Sequence, residues 1–311
     1  MVKLTDLYLH HYAQSPFSEK VRALLGYLVL DWHSVTISNI MPRPDLMPLS
    51  GGYRKTPVLQ DGANVFCDTK AICRYLAHKV GNREIYAPGF LATRVAEWAD
   101  TTLFQTAVAL CFQPSAVATF AASLGKDALT AFMQDRAKLA DGASISQLDP
   151  GLAEASFTHY LRELEASLNA PFLFGTAPSI ADFSVYHGLW FVASNPVVAT
   201  LLDGYPHLAD WYERMQAFAT RAGQECPSTE ALMAAKNSTP ALVVVGEELL
   251  PGGINIGDSV AVTPNDYGKI AVAGVLRHCS DQMVALERED AQAGSVIVYF
   301  PRTGFDVASV Q

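Results

Sequence analysis

The sequence predicts a chain of three parts: an α/β N-terminal part, an all-helical middle part and a small all-β C-terminal part. Three observations carry this. Residues 3–80 alternate short apolar runs of strand length with helix-like runs. Residues 90–235 hold periodic apolar stretches at helical spacing, punctuated by prolines. After Lys236-Asn237-Ser238-Thr239-Pro240 the composition shifts to short valine-rich runs divided by Gly, Asn and Asp. With 311 residues the chain has room for two or three domains, and half of it is apolar, enough for sizeable cores. No apolar run reaches the length of a membrane span. Met1-Val2-Lys3-Leu4-Thr5-Asp6 lacks the architecture of a secretory signal.

In order, the N-terminal part reads as strand 5–12, helix 18–30, strand 32–38, strands 56–60 and 63–67, and helix 69–80. Pro42, Pro44, Pro48, Gly51 and Gly52 exclude a long helix between 40 and 54. Asp61-Gly62-Ala63-Asn64 is the turn of a hairpin. Residues 83–89, with Pro88-Gly89, form a linker. Helices follow at about 90–112, 127–139, 151–168, 180–194 and 207–222. The C-terminal part offers five strand-like runs, at 243–245, 259–262, 271–276, 283–286 and 295–300. Five strands in some seventy residues suggest a small barrel or sandwich, with an SH3-like domain as the expectation. The loops 263–268 and 300–305 are either binding edges or ordinary turns.

The motif with the most chemistry is Ser15-Pro16-Phe17-Ser18, between the first strand and the first helix. Thioredoxin-type redox proteins place Cys-Pro-aromatic-Cys at such a turn. Here both sulfur positions are hydroxyls, so dithiol chemistry is ruled out. A hydroxyl at a helix N-terminus can instead donate to a thiolate carried by a ligand, and the unpaired N–H groups there favour an anion. Either serine also makes a sufficient N-cap. Pro57 opens the third strand at Thr56-Pro57-Val58-Leu59, a position where its missing N–H is not needed. A cis bond there would expose the Thr56 backbone to a ligand. Asp68-Thr69 opens the next helix, either as a cap or as a holder of a ligand's ammonium and carboxylate. Ser179 and Asp182 have capping-box spacing ahead of an apolar helix, a stabilising role that leaves no catalytic role for Asp182.

In this order and spacing, Ser15-Pro16-Phe17-Ser18, Thr56-Pro57-Val58-Leu59 and Asp68-Thr69 resemble the cytosolic glutathione transferases, in a serine-type form, over about residues 3–235. The resemblance implies a thioredoxin-like domain at 1–82 and a helical domain at 90–236. The segment 240–311 departs from the family as an additional β domain, expected to fold as an appendage docked on the helical domain. The implied activity is conjugation of the glutathione thiolate to a small hydrophobic electrophile, with glutathione as co-substrate and no metal. Ser15 takes the catalytic position. Phe17, Thr56, Pro57, Asp68 and Thr69 take substrate-binding positions. The family usually has Glu-Ser where this chain has Asp68-Thr69. Tyr12, His11 and Ser18 lie close enough to the turn to replace Ser15 as the sulfur's donor. Trp98 and Phe104 lie on the helix that walls the family's electrophile pocket, though aromatics on a helix are more often plain core. A homodimer is also implied. Two other classes remain open: a glutathione-binding or interaction protein with little turnover, and a glutathione-dependent peroxidase or other oxidoreductase.

The chemistry asked of Ser15 is modest. A free thiol titrates near 8.5, and lowering that by about two units is worth about 2.7 kcal/mol. A hydrogen bond plus a helix N-terminus is of that order.

The net charge of −9 argues against a nucleic-acid partner. Residues 1–80 carry nine Lys/Arg against six Asp/Glu, the only positive part of the chain. That asymmetry favours capture of an anion such as glutathione where the motifs lie. The five cysteines, Cys67, Cys73, Cys111, Cys226 and Cys279, are odd in number and show no C-x-x-C or metal spacing. They fit a reducing, cytoplasmic compartment. Cys67, beside Asp68, is either reactive or a small buried hydrophobe.

Overall fold

The structure is a computed structural model that describes residues 7–143 and 148–310. The N-terminal hexapeptide, including the first two residues of the expected strand 5–12, lies outside the described residues. Strands β1 (Leu7–His11), β2 (His33–Thr36), β3 (Val58–Asp61) and β4 (Asn64–Cys67) alternate with helices α1 (Pro16–Tyr27), α2 (Leu46–Ser50) and α3 (Thr69–Lys79). Strand β1 pairs parallel to β2 and antiparallel to β3, which pairs antiparallel to β4. The five-residue α2 fits within the proline-rich loop because Gly51, at φ 71°, ends it in the left-handed region.

The helical part holds α4 (Phe90–Trp98) and α5 (Phe104–Cys111), joined by the π-helical turn Ala99–Leu103. Then come α6 (Pro114–Leu124), α7 (Lys126–Leu139), α8 (Pro150–Ser167), α9 (Ile180–Ala193) and α10 (Pro206–Ala219). None of the described helices is long and apolar enough to cross a membrane. The Ser179–Asp182 capping box forms as expected, and Asp182 also accepts from Leu173 N and Trp211 Nε1. Gly26 of α1 touches α10 so closely that a Cβ would sit 1.8 Å from the Phe218 carbonyl oxygen. A short β5 (Gln224–Glu225) then returns to pair beside β2, and α11 (Ser228–Lys236) packs under the sheet.

The C-terminal strands are β6 (Ser259–Pro264), β7 (Val272–Cys279), β8 (Met283–Asp290), β9 (Gly294–Pro301) and β10 (Phe305–Ser309). Among themselves they run β10-β6-β7-β8-β9. The run Val243–Val245 is not a strand, whereas Phe305–Ser309 is. Tyr299 Oη accepts from Val243 N, while His278 and Ser280 bond the Val245 carbonyl, so that segment is held by side chains instead of a ladder. Residues 305–309 find the free edge of β6.

The C-terminal strands touch the helical part, as expected, but their main junction is with the N-terminal sheet. Strand β9 joins β4 in parallel, with Phe66 opposite Tyr299, so one ten-stranded sheet runs β10-β6-β7-β8-β9-β4-β3-β1-β2-β5. One face of the N-terminal sheet packs α1, α3 and the helical layer around Leu9, Leu24, Phe66 and Phe183. Its other face shares a core with the C-terminal strands through Val58, Val65, Val260, Val284 and Phe300. The rings of Tyr75, Phe66 and Tyr299 stack across the seam with centroids 3.8 and 4.5 Å apart.

An open β4 edge and a stripped apolar face are aggregation hazards. Ending the chain after Asn237 should therefore yield a protein of much lower thermal midpoint or solubility than the full chain. A melt and sedimentation of both forms check this, and equal stability would contradict the shared core.

Candidate functional site

Strand β1 ends at His11 and the chain turns through Tyr12–Gln14, with Ser15 N donating to Tyr12 O at 3.1 Å. Ser15 is the N-cap of α1, and its Oγ accepts from Ser18 N at 3.2 Å. Pro16 at the first helical position has no N–H to satisfy. Accepting leaves the Ser15 hydroxyl proton available for donation. The cap reading and the donor reading are thus compatible in one side chain. Ser18, by contrast, is fully buried and its Oγ has no hydrogen-bond partner among the described residues. Phe17 projects across to the helical layer, where its ring meets Phe104 and His187, both with centroids 4.6 Å away. Trp98 makes its ring contact with Tyr160 of α8 instead. The structure therefore brings Phe104 to the turn and assigns Trp98 to the helical core.

His11 is not a spare donor. Its Nε2 lies 3.0 Å from Ser34 Oγ and its Nδ1 lies 3.0 Å from Arg22 Nη1, so both ring nitrogens are engaged. Ser34 in turn donates to Glu225 of β5. The Tyr12 hydroxyl makes no hydrogen bond among the described residues and remains open as a donor.

The Thr56–Pro57 bond is cis. The Thr56 hydroxyl accepts from Arg43 Nη1 at 2.8 Å, and the same nitrogen also donates to Arg54 O. Arg43 is buried and adds a bond from Nε to Ser38 O. Arg54 reaches α7, donating to the Asp135 carboxylate at 2.5 Å, which Arg136 also meets at 2.6 Å. Burial alone would raise the Asp135 carboxyl, but the Met41 N–H and the neighbouring arginines hold it below the usual range. The carboxylate and the arginines thus fix the loop before Pro57 against the helical layer.

Asp68 caps α3, with Oδ1 accepting from Lys70 N at 2.9 Å. Its backbone sits at φ 73° and ψ 139°, a region that costs a non-glycine residue about 1–3 kcal/mol. Thr69 beside it is buried, with no hydrogen bond to its hydroxyl among the described residues. One residue on, Lys70 lines a polar cleft of about 190 Å³ with Lys20, Arg74, Asp100, Asp281 and Gln282. The last two come from the C-terminal strands' β7–β8 turn.

Sequence reasoning missed the buried charge cluster behind Phe17. Lys20 of α1, 1% exposed, donates to both Asp100 oxygens at 2.9 and 2.7 Å, and His187 Nε2 lies 3.0 Å from Asp100 Oδ1. Burial opposes both charges. The Asp100 carboxylate nevertheless keeps Lys20 protonated, and Lys20 with His187 holds Asp100 well below the carboxylate range. Burial leaves His187 lowered, the Asp100 contact offsetting part of this. A lysine at a buried helical position was the signal available.

Cys67 and the other four cysteines are free and buried. Burial pushes the Cys67 thiol up, with Asp68 adding to it, so this sulfur behaves as packing and not as a nucleophile.

The family model for the N-terminal domain of glutathione S-transferases matches residues 9–84, and that for the C-terminal domain matches residues 126–214. A crystal structure of a GST-like protein from Pseudomonas syringae is 37% identical with a TM-score of 0.81. The match covers 98% of this chain and 100% of that one, so the C-terminal strands fall within the shared span. Glutathione S-transferase theta-1 of Rattus norvegicus is 23% identical over 251 residues, 79% of this chain and 96% of that protein. A glutathione S-transferase structure from Rhodospirillum rubrum F11 shares the fold at 18% identity and a TM-score of 0.50, covering 70% of this chain and 93% of its own.

Burial draws His10 and His11 down to about 4 from 6.5, Gln60 opposing the shift at His10 and Arg22 adding to it at His11. The unfolded chain takes up these protons near 6.5, whereas the folded chain refuses them until about 4. Stability should therefore be flat from this source above pH 6.5 and fall as pH drops from 6.5 to 4, at up to ~1.4 kcal/mol per pH unit for each ring. Melts across that window check it. A midpoint that holds constant down to pH 4 would contradict the burial of neutral rings.

Proposed function

The chain belongs to the glutathione S-transferase family, and on that premise we propose that it binds glutathione and transfers its thiolate to a small hydrophobic electrophile. The observation that carries this is the Ser15 hydroxyl, which accepts from Ser18 N and keeps its proton for a sulfur at the start of α1. Donation from Ser15 and the helix's N–H groups lowers the thiol's pKa toward neutrality. The sulfur then gives its electron pair to the electrophilic carbon, and the displaced pair leaves with the leaving group or moves into an adjacent acceptor. The Thr56 backbone pairs with the ligand's cysteinyl unit, and Pro57 fixes that edge. Asp68 and Thr69 take the γ-glutamyl end, with the second Asp68 oxygen and the Thr69 hydroxyl available for it. Phe17 and Phe104 supply the apolar wall. None of these steps calls for a metal, and no metal-binding cluster occurs among the described residues.

The three-part division at 1–82, 90–236 and 240–311 is retained, with the third part sharing the sheet of the first. Two copies per assembly is the family's implication. Because β4 is paired on both sides, by β3 and β9, such an assembly would use another surface. Buried free thiols are compatible with a cytoplasmic setting.

Ser15→Ala should lower the conjugation rate about tenfold or more, on the scale of a lost charge-assisted hydrogen bond. Glutathione affinity should change much less, and loss of the cap should cost about 1 kcal/mol of stability. Rate, calorimetric affinity and melting are measured side by side. An unchanged rate in a folded variant would transfer the role to Tyr12.

A further inference from the structure

The loop 265–271 between β6 and β7 leaves the C-terminal strands and lands on the residue that precedes Thr56. Asp266 Oδ1 lies 2.5 Å from Lys55 Nζ, and the Tyr267 ring centroid lies 4.1 Å from the same nitrogen. The loop is also tied to the helical layer, since Gly268 N donates to the Leu139 carbonyl at 2.9 Å. Gly268 has φ +60°, and a Cβ there would meet Leu139 Cδ1 at 2.9 Å, so only glycine lets the loop sit this close to α7. The loop therefore ties Lys55, beside the Thr56–Pro57 edge, to the end of α7.

Tyr267 is half-buried at this bridge. Burial pushes its hydroxyl's pKa up, with Asp266, Asp68 and Tyr12 adding to the shift and Arg136 opposing it. It stays protonated at neutral pH, a donor in surroundings that include Asp68 and Tyr12. Its hydroxyl nevertheless makes no hydrogen bond among the described residues, and neither does that of Tyr12. Because Tyr267 is only half-buried, this hydroxyl is left to solvent and is available to a ligand that replaces the water. Asp266 meanwhile neutralises Lys55, the cation next to Thr56, and aligns the Tyr267 ring over the ammonium stem.

We infer that Tyr267 is a ligand-binding residue of the same site, its hydroxyl donating to a carbonyl or carboxylate oxygen of bound glutathione beside the Thr56–Pro57 edge. Asp266 is its positioning residue, acting through Lys55. The C-terminal strands then complete the site instead of merely adjoining it. This rests on the glutathione reading above, and the test separates the two.

Glutathione binding is measured by calorimetry for the full-length protein and for Tyr267→Phe, which removes one hydroxyl and keeps the ring. The variant should bind about tenfold more weakly, the scale of one lost hydrogen bond to a polar ligand, with an unchanged thermal midpoint. In the unaltered protein, hydrogen exchange should show amides of 265–269 slowed by glutathione, a readout that does not depend on the variant. Binding by the unaltered protein with equal affinity in the variant, or with no protection of the loop, would overturn the role of Tyr267 and leave the transferase reading standing. Absence of glutathione binding in the unaltered protein would overturn both.

Discussion

The placement of the candidate site depends on the buried contact of Lys20 with Asp100 and His187. Lys20 lies one turn along α1 from Ser15, and Asp100 lies in the π-helical turn between α4 and α5. Such a turn shifts the register of the helix that follows it and is frequent at functional sites. With His187 bonded to the same carboxylate, three elements far apart in sequence are held at one point. Phe17, packed on His187 and Phe104, takes its position from that point. Removing one partner of such a buried pair typically costs 3–5 kcal/mol, because the other charge is left unpaired. The pair therefore fixes relative position more than it adds net stability, and position is what the proposed donor role of Ser15 requires.

The second constraint is the edge of β4. A sheet edge left open invites pairing with any available strand. Here the chain closes its own edge with β9 and covers the face beside it with the C-terminal strands. That choice brings the β6–β7 loop to Lys55 and the β7–β8 turn to the polar cleft that Lys70 lines. Closing the edge and bringing these two loops beside the candidate site are thus one geometric event. The match to the Pseudomonas syringae protein over nearly the whole length of both chains is consistent with the two parts belonging together.

The legible features were local ones. Ser15-Pro16-Phe17-Ser18 announces a turn and a helix start within four residues, and the hairpin at 58–67 is written in its turn residues. The helices expected from apolar period at about 127–139, 151–168 and 180–194 form at 126–139, 150–167 and 180–193. Contacts across long sequence separations were not legible. Lys20 meets Asp100 80 residues away, and Lys55 meets Asp266 211 residues away; nothing local to either lysine names its partner. The expected strand at 243–245 is absent, and an unexpected one forms at 305–309, for a related reason. A valine run carries strand propensity, but pairing needs an open edge, and only residues 305–309 reach one. The polar neighbours of His11 were likewise hidden, since Ser34 and Arg22 come from different elements.

The central claim is that the N-terminus of α1, through Ser15, stabilises the thiolate of bound glutathione. The most direct measurement is a pH titration of the ultraviolet thiolate absorbance of glutathione on the unaltered protein, at saturating protein. The account predicts that the bound thiol titrates about two units below its ordinary value near 8.5. A bound thiol that titrates at its ordinary value would contradict it.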